Sequence, residues 1–264
     1  MQKATWYLFL LYTFLNCFKS IAQGPPITSD KPLMLGQGSW VVRSLTESRN
    51  TDRGTFTKTP LILHYLITKN AFIGVHIPLV HLNFNSVIQQ ANSPVFSLGD
   101  IELIGKYQFY KKDGMGKTFR LAAKALQVFP TGDALEIQGI STGMYQAFIS
   151  CIAGYESLHY GISNELGYNI QPFTDLDELR YKLSFGLPLM KPTYPVKKIN
   201  LYFEYQGSWF MNLDNYMLLY AQGIQYAKNQ FTIETAIQFP LLQKAVDQRL
   251  TRNYSLFLGA RYIF

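Results

Sequence analysis

From about residue 39 to the last residue, apolar and polar side chains alternate with a period of two. No apolar run beyond residue 18 approaches the roughly 18 residues that a helical span requires. A chain built from short alternating segments must pair them edge to edge, so the pattern predicts antiparallel β-structure throughout. Residues 100–110, DIELIGKYQFY, show it clearly. Asp100, Glu102, Lys106 and Gln108 share one face, and Ile101, Leu103, Gly105, Tyr107 and Phe109 share the other. Asp113-Gly114 then turns the chain. The return strand places Thr118, Arg120 and Lys124 opposite Phe119, Leu121, Ala123 and Ala125.

The same hairpin reading recurs across residues 68–70, 156–159, 188–198 and 227–230. With a first strand near residues 39–45 and a last at 254–264, it predicts about twelve strands. Between hairpins lie longer polar connections at residues 47–58, 80–98, 130–143, 172–177, 211–215 and 242–253. Short and long connections therefore alternate in phase, as they do in outer-membrane barrels, whose turns are short on one side and long on the other. The expected fold is all-β: one closed antiparallel transmembrane β-barrel of about 12 strands.

Composition agrees. Aromatics make up 15% of the chain and charged residues 16%, the latter well below the usual ~25%. Residues 1–23 read as a secretory signal peptide: Lys3, an apolar stretch from Trp6 to about Phe18, then Ser20-Ile21-Ala22 as a cleavage site. The domain from residue 24 to 264 is expected to be the barrel, preceded by a short periplasmic lead-in. Loss of Lys3 and Lys19 with the signal lowers the net charge of +7 by two. That excess is too small and too scattered for nucleic acid. Cys151 alone would remain, so no intrachain disulfide forms.

Alternation does not by itself separate a lipid-facing apolar face from one packed on a core. The signal peptide, the aromatic strand ends (Tyr107, Phe109, Phe129, Trp209, Tyr226) and the strand-like segment 254–264 favour the membrane. In hydrocarbon a sheet must close, so the last strand is expected to pair with the first. That segment resembles the C-terminal insertion signal of bacterial outer-membrane proteins, with Tyr262 and Phe264 in a periplasmic aromatic girdle. Expected partners are therefore outer-membrane lipid, the barrel-insertion machinery and a small-molecule solute. The expected location is the outer membrane of a Gram-negative bacterium.

Residues 98–133 carry Gly99-Asp100 before a strand, Lys106-Tyr107 within it, and Pro130-Thr131-Gly132-Asp133 after the return strand. This block resembles the MetA-pathway phenol-degradation family of bacterial outer-membrane β-barrel proteins. TSDKP (residues 28–32) and residues 64–81 are similar to that family too, while the second half of the chain matches it only in rhythm. The resemblance implies a barrel related to channels for hydrophobic or aromatic solutes and supplies no catalytic residue.

The inward-facing charges are the candidate solute contacts: Asp100, Glu102, Lys106, Arg120, Lys124, Arg180, Lys182, Glu204 and Glu234, with Arg43, Glu165 and Arg261 on the same face. They describe a polar conduit or, equally, a lumen filled by paired side chains. Residues 80–98 and 130–143 are the candidate gating loops. His64, His76, His81 and His159 lack metal-ligand spacing, and no cofactor or metal is expected. His159 and Ser163 are similar to part of an outer-membrane phospholipase motif but lack the rest of it. The expected function is passive passage of small, hydrophobic or aromatic solutes rather than catalysis; the alternative is a non-transporting structural or surface-interaction barrel with a plugged lumen.

Overall fold

A computed structural model describes residues 25–34, 36–52, 54–84, 95–132, 143–172, 177–190, 197–211, 215–244 and 251–264. The proposed signal peptide, most of both candidate gating loops and Asp133 lie outside the described residues. The described strands are β1 (Trp40–Thr51), β2 (Gly54–Thr68), β3 (Ala71–Phe84), β4 (Val95–Leu98), β5 (Ile101–Gly114), β6 (Lys117–Phe129), β7 (Gln146–Ser157), β8 (Gly161–Ile170), β9 (Glu178–Pro188), β10 (Lys197–Phe210), β11 (Asn215–Lys228), β12 (Phe231–Lys244) and β13 (Tyr254–Ile263).

Each strand pairs antiparallel with its neighbour, and β1 pairs with both β2 and β13, so the sheet closes on itself. The closed ring has twelve strands. The thirteenth, β4, continues the line of β5: β3 pairs with β4 through Leu79–Leu98 and with β5 through His76–Glu102. Gly99 and Asp100 interrupt that line and are clamped from β3 and from the residues that follow β6. The Gly99 amide donates to the Pro78 carbonyl, the Gly132 amide to Asp100 Oδ1 at 3.0 Å, and the Ile101 amide to Thr131 Oγ1 at 2.9 Å. Gly99-Asp100 and Pro130-Thr131-Gly132 thus act together as one structural clasp.

Ring closure satisfies the backbone groups that an open edge would leave bare. The outward face is apolar and exposed, with Leu61, Ile73, Leu103, Ile149, Leu166, Ile233, Phe239 and Leu258 among its residues. The inward face holds Lys106, Lys124, Glu165, Glu204, Gln225, Glu234 and Arg261, all buried. This inverts the arrangement of a water-soluble domain and matches a wall that faces hydrocarbon. A bulge between Gln108 and Tyr110 leaves Phe109 and Tyr110 both exposed, adding to the aromatic edge.

One expected loop is absent. Residues 47–58 form the ends of β1 and β2, in register through Glu47–Lys58 and Thr51–Gly54. Apart from Phe56, both faces there are polar, so the alternation loses contrast although the ladder continues. A second difference concerns residues 25–34. Expected as a periplasmic lead-in, they instead lie inside the barrel, because the wall's inward charges hold their backbone.

Candidate functional site

The lumen is occupied by residues 25–34, and Glu204 on β10 is the principal anchor. Its carboxylate accepts the Ile27 amide at 2.8 Å, the Thr28 amide at 3.0 Å, Thr28 Oγ1 at 2.8 Å and the Ser29 amide at 2.6 Å. Glu204 is 1% exposed, so these bonds replace the hydration that burial removed. Asp30 provides the second anchor. Its two oxygens meet Lys106 at 2.6 Å and Lys124 at 3.3 Å, and Lys106 also donates to the Lys31 carbonyl at 2.8 Å. Lys106 and Lys124 are direct cross-strand partners on β5 and β6. Like charges so placed repel, and Asp30 between them, with Glu165 against Lys124, offsets the repulsion. Burial disfavours the Asp30 charge, but the two ammonium groups outweigh it and hold the carboxyl well below its ordinary pKa.

Further contacts extend around the ring. Lys31 pairs with Glu156 at 2.7 Å, although burial pushes its ammonium pKa down. The Ile27 carbonyl accepts from Arg43, the Thr28 carbonyl from Lys182 and Gln206, the Asp30 carbonyl from Ser163 and the Pro25 carbonyl from Gln225. Two wall glycines admit the segment closely. A Cβ on Gly154 would lie 2.6 Å from Pro32 Cδ, and one on Gly223 would lie 2.5 Å from Ile27 Cδ1.

Of the inward-facing charges named from the sequence, Arg43, Lys106, Lys124, Lys182 and Glu204 touch the segment directly. Glu234 acts through Arg43, which it binds at 2.6 Å. Glu102 lies in a side chain cluster with Lys58 and His76, and His76 in turn meets His64 at 3.0 Å. Arg180 pairs with Glu178 on its own strand, 5.3 Å over the Phe148 ring. Arg120 meets Gln108 and Thr118. Asp100 belongs to the strand clasp. Ser163 bonds to the Asp30 carbonyl and Ser184 Oγ, while His159 is exposed on the turn after β7.

Asp30 and Lys31 were not among the candidates. A signal for Asp30 was present: two inward lysines at facing positions require a nearby acid, and TSDKP supplies one. Beside the segment a cavity of about 510 Å³ remains, lined by Arg43, Lys182, Lys198, Thr232 and Arg261 and by Leu66, Phe72 and Ile104.

No protein-family model matches the sequence, and no curated protein matches it. Solved structures do resemble the fold. The COG4313 outer membrane channel from Pseudomonas putida F1 is 12% identical, with a TM-score of 0.63 over 92% of this chain and 100% of that one. The KdgM porin is 9% identical, with a TM-score of 0.50 over 85% and 99%. Its complex with disordered oligogalacturonate gives 9% and 0.51 over the same shares. At these identities the likeness concerns architecture. The chain has the fold of outer-membrane channel barrels.

Proposed function

We propose that this chain is an outer-membrane channel for small, hydrophobic or aromatic solutes, closed in the present conformation by residues 25–34. The observation that carries the reading is how the segment is held. Hydrogen bonds and ion pairs from one extended stretch hold it, next to a cavity of about 510 Å³. Water can replace polar contacts of this kind when the segment leaves, and the apolar surface then uncovered is that of Pro26, Ile27, Pro32 and Met34 and the two small clusters that seat Ile27 and Met34. The resemblance of residues 98–133 to the MetA-pathway phenol-degradation family supports the solute class. The fold shared with the COG4313 channel supports passage through the barrel and residence in the outer membrane of a Gram-negative bacterium. Segment 254–264, as β13, would engage the insertion machinery before pairing with β1.

A second reading is favoured by the same segment: a barrel permanently filled, serving a structural or surface role. Planar-bilayer conductance of the refolded chain separates the two. Under the channel reading the wild-type barrel shows brief openings, and Glu204→Ala, which strips four donors of their acceptor, stays open longer. Silence from both proteins, once inserted, would establish the filled barrel instead.

A further inference from the structure

Beside the occluding segment lies a row of cations of which only Arg43 has a carboxylate partner among the described residues. Lys198, Ala227, Thr232, Arg261 and Arg43 are successive cross-strand partners on β10, β11, β12, β13 and β1. This row holds three cations, two small residues and no acid. Arg43 finds Glu234, which also accepts from Gln225. Arg261, only 7% exposed, donates from Nη2 to Thr232 Oγ1 at a long 3.5 Å, and its buried Nε has no hydrogen-bond partner. No carboxylate among the described residues pairs with it, and none pairs with Lys198. Asn200, next inward from Lys198 on β10, has a buried Oδ1 that is likewise unpartnered.

An unsatisfied buried guanidinium is costly, and water satisfies it less well than a carboxylate that engages two N–H groups at once. Both cations line the 510 Å³ cavity, which is within the range of small-ligand sites. Three strand spacings, roughly 14 Å at the backbone, separate Lys198 from Arg261. Ala227 and Thr232 leave room between them. From Arg261 the lining turns mostly apolar through Ile263 and Val41 to Leu66, Phe72 and Ile104, which pack together with Met34, while His64 stacks on Phe72 and Lys106 lies over its ring.

We propose that this chamber is a binding site for an amphiphilic monocarboxylate, a small aromatic or aliphatic acid. Its carboxylate lies between Arg261 and Lys198, and its apolar body lies against Phe72, Leu66 and Ile104. The inference rests on the channel reading for its biological meaning and specifies the solute class, but binding itself does not depend on conduction.

The test is calorimetric titration of the refolded full chain, in uncharged detergent with micelle blanks, using 4-phenylbutyrate, the neutral 4-phenylbutan-1-ol and inorganic phosphate. The acid is expected to bind at least tenfold more tightly than the alcohol or phosphate. Arg261→Gln should abolish that preference while leaving the alcohol unchanged, and Lys198→Gln should reduce it severalfold. Resistance of the folded band to unfolding in cold detergent confirms each barrel; should Arg261→Gln fail to fold, Lys198→Gln carries the test. Equal binding of acid and alcohol, or an acid preference that survives substitution, overturns the proposal. Phosphate binding as tightly as the acid overturns it as well, because the site would then read charge alone. Conductance without acid selectivity would leave the channel standing and remove this site; selective binding by a silent barrel would do the reverse.

Discussion

Among the like charges that face each other across neighbouring strands of this barrel, two pairs beside the lumen segment are treated differently. Lys106 and Lys124 are opposed on β5 and β6, and Asp30 and Glu165 neutralise them. Arg43 and Arg261 are opposed on β1 and β13, and among the described residues an ion pair forms from Glu234 to Arg43 and none forms to Arg261. The first pair is completed by a residue from the occluding segment, which fixes that segment in place. The second stays open toward a cavity. A buried charge can therefore mark a permanent internal partner or a vacancy for an outside one, and only the acid count around it distinguishes the two.

Removing Asp30 should have the largest effect on this contrast. Asp30→Asn leaves two facing lysines with Glu165 as their acid, and breaking such a buried pair costs about 3 kcal/mol. The ratio of open to closed time in single-channel records should rise on the order of 100-fold. Gly154→Val crowds Pro32 from the wall side and should cost about 2 kcal/mol in docking through overpacking. The same recording should show a rise smaller than that of Asp30→Asn. Arg261→Gln removes a cation that pairs with no carboxylate among the described residues, so the free energy of urea unfolding should change by less than about 1 kcal/mol, in either direction.

Acidification should leave the comparison unchanged. The docked pKa of Asp30 lies below the ordinary carboxylate value, so its contribution is fully present above about 3.9 and is lost only as pH falls through the lower docked value. The gap in open-to-closed ratio between wild type and Asp30→Asn should therefore be equal at pH 7 and at about pH 5. A gap that closes by pH 5 would place Asp30 outside the lysine pair.

The ring itself was legible because wall residues obey a local rule. Phe231, Thr232, Ile233 and Glu234 alternate outward and inward as their polarity requires. The rule fails at the ends of β1 and β2, where Glu47, Ser48, Arg49 and Asn50 offer no apolar face to count. It is silent on the occluding segment, whose conformation follows from partners far along the chain: 177 residues separate Ile27 from Glu204. Position in the family-like block did not reveal roles either. Lys106 holds Asp30, whereas Asp100, six residues earlier, stabilises a strand break.

That long separation has a consequence for how the molecule is made. The partners of residues 25–34 lie on β1, β5, β6, β7, β8, β9, β10 and β11, and they face one another only after β13 has joined β1. The complete set of contacts to a stretch that precedes every described strand is therefore available only in the closed ring. Until the segment docks, Glu204 and the lysine pair face the lumen, and docking replaces their hydration with the segment's own donors and with Asp30. Closure of the wall and occlusion of the interior are thus ordered events, with the first a precondition of the second.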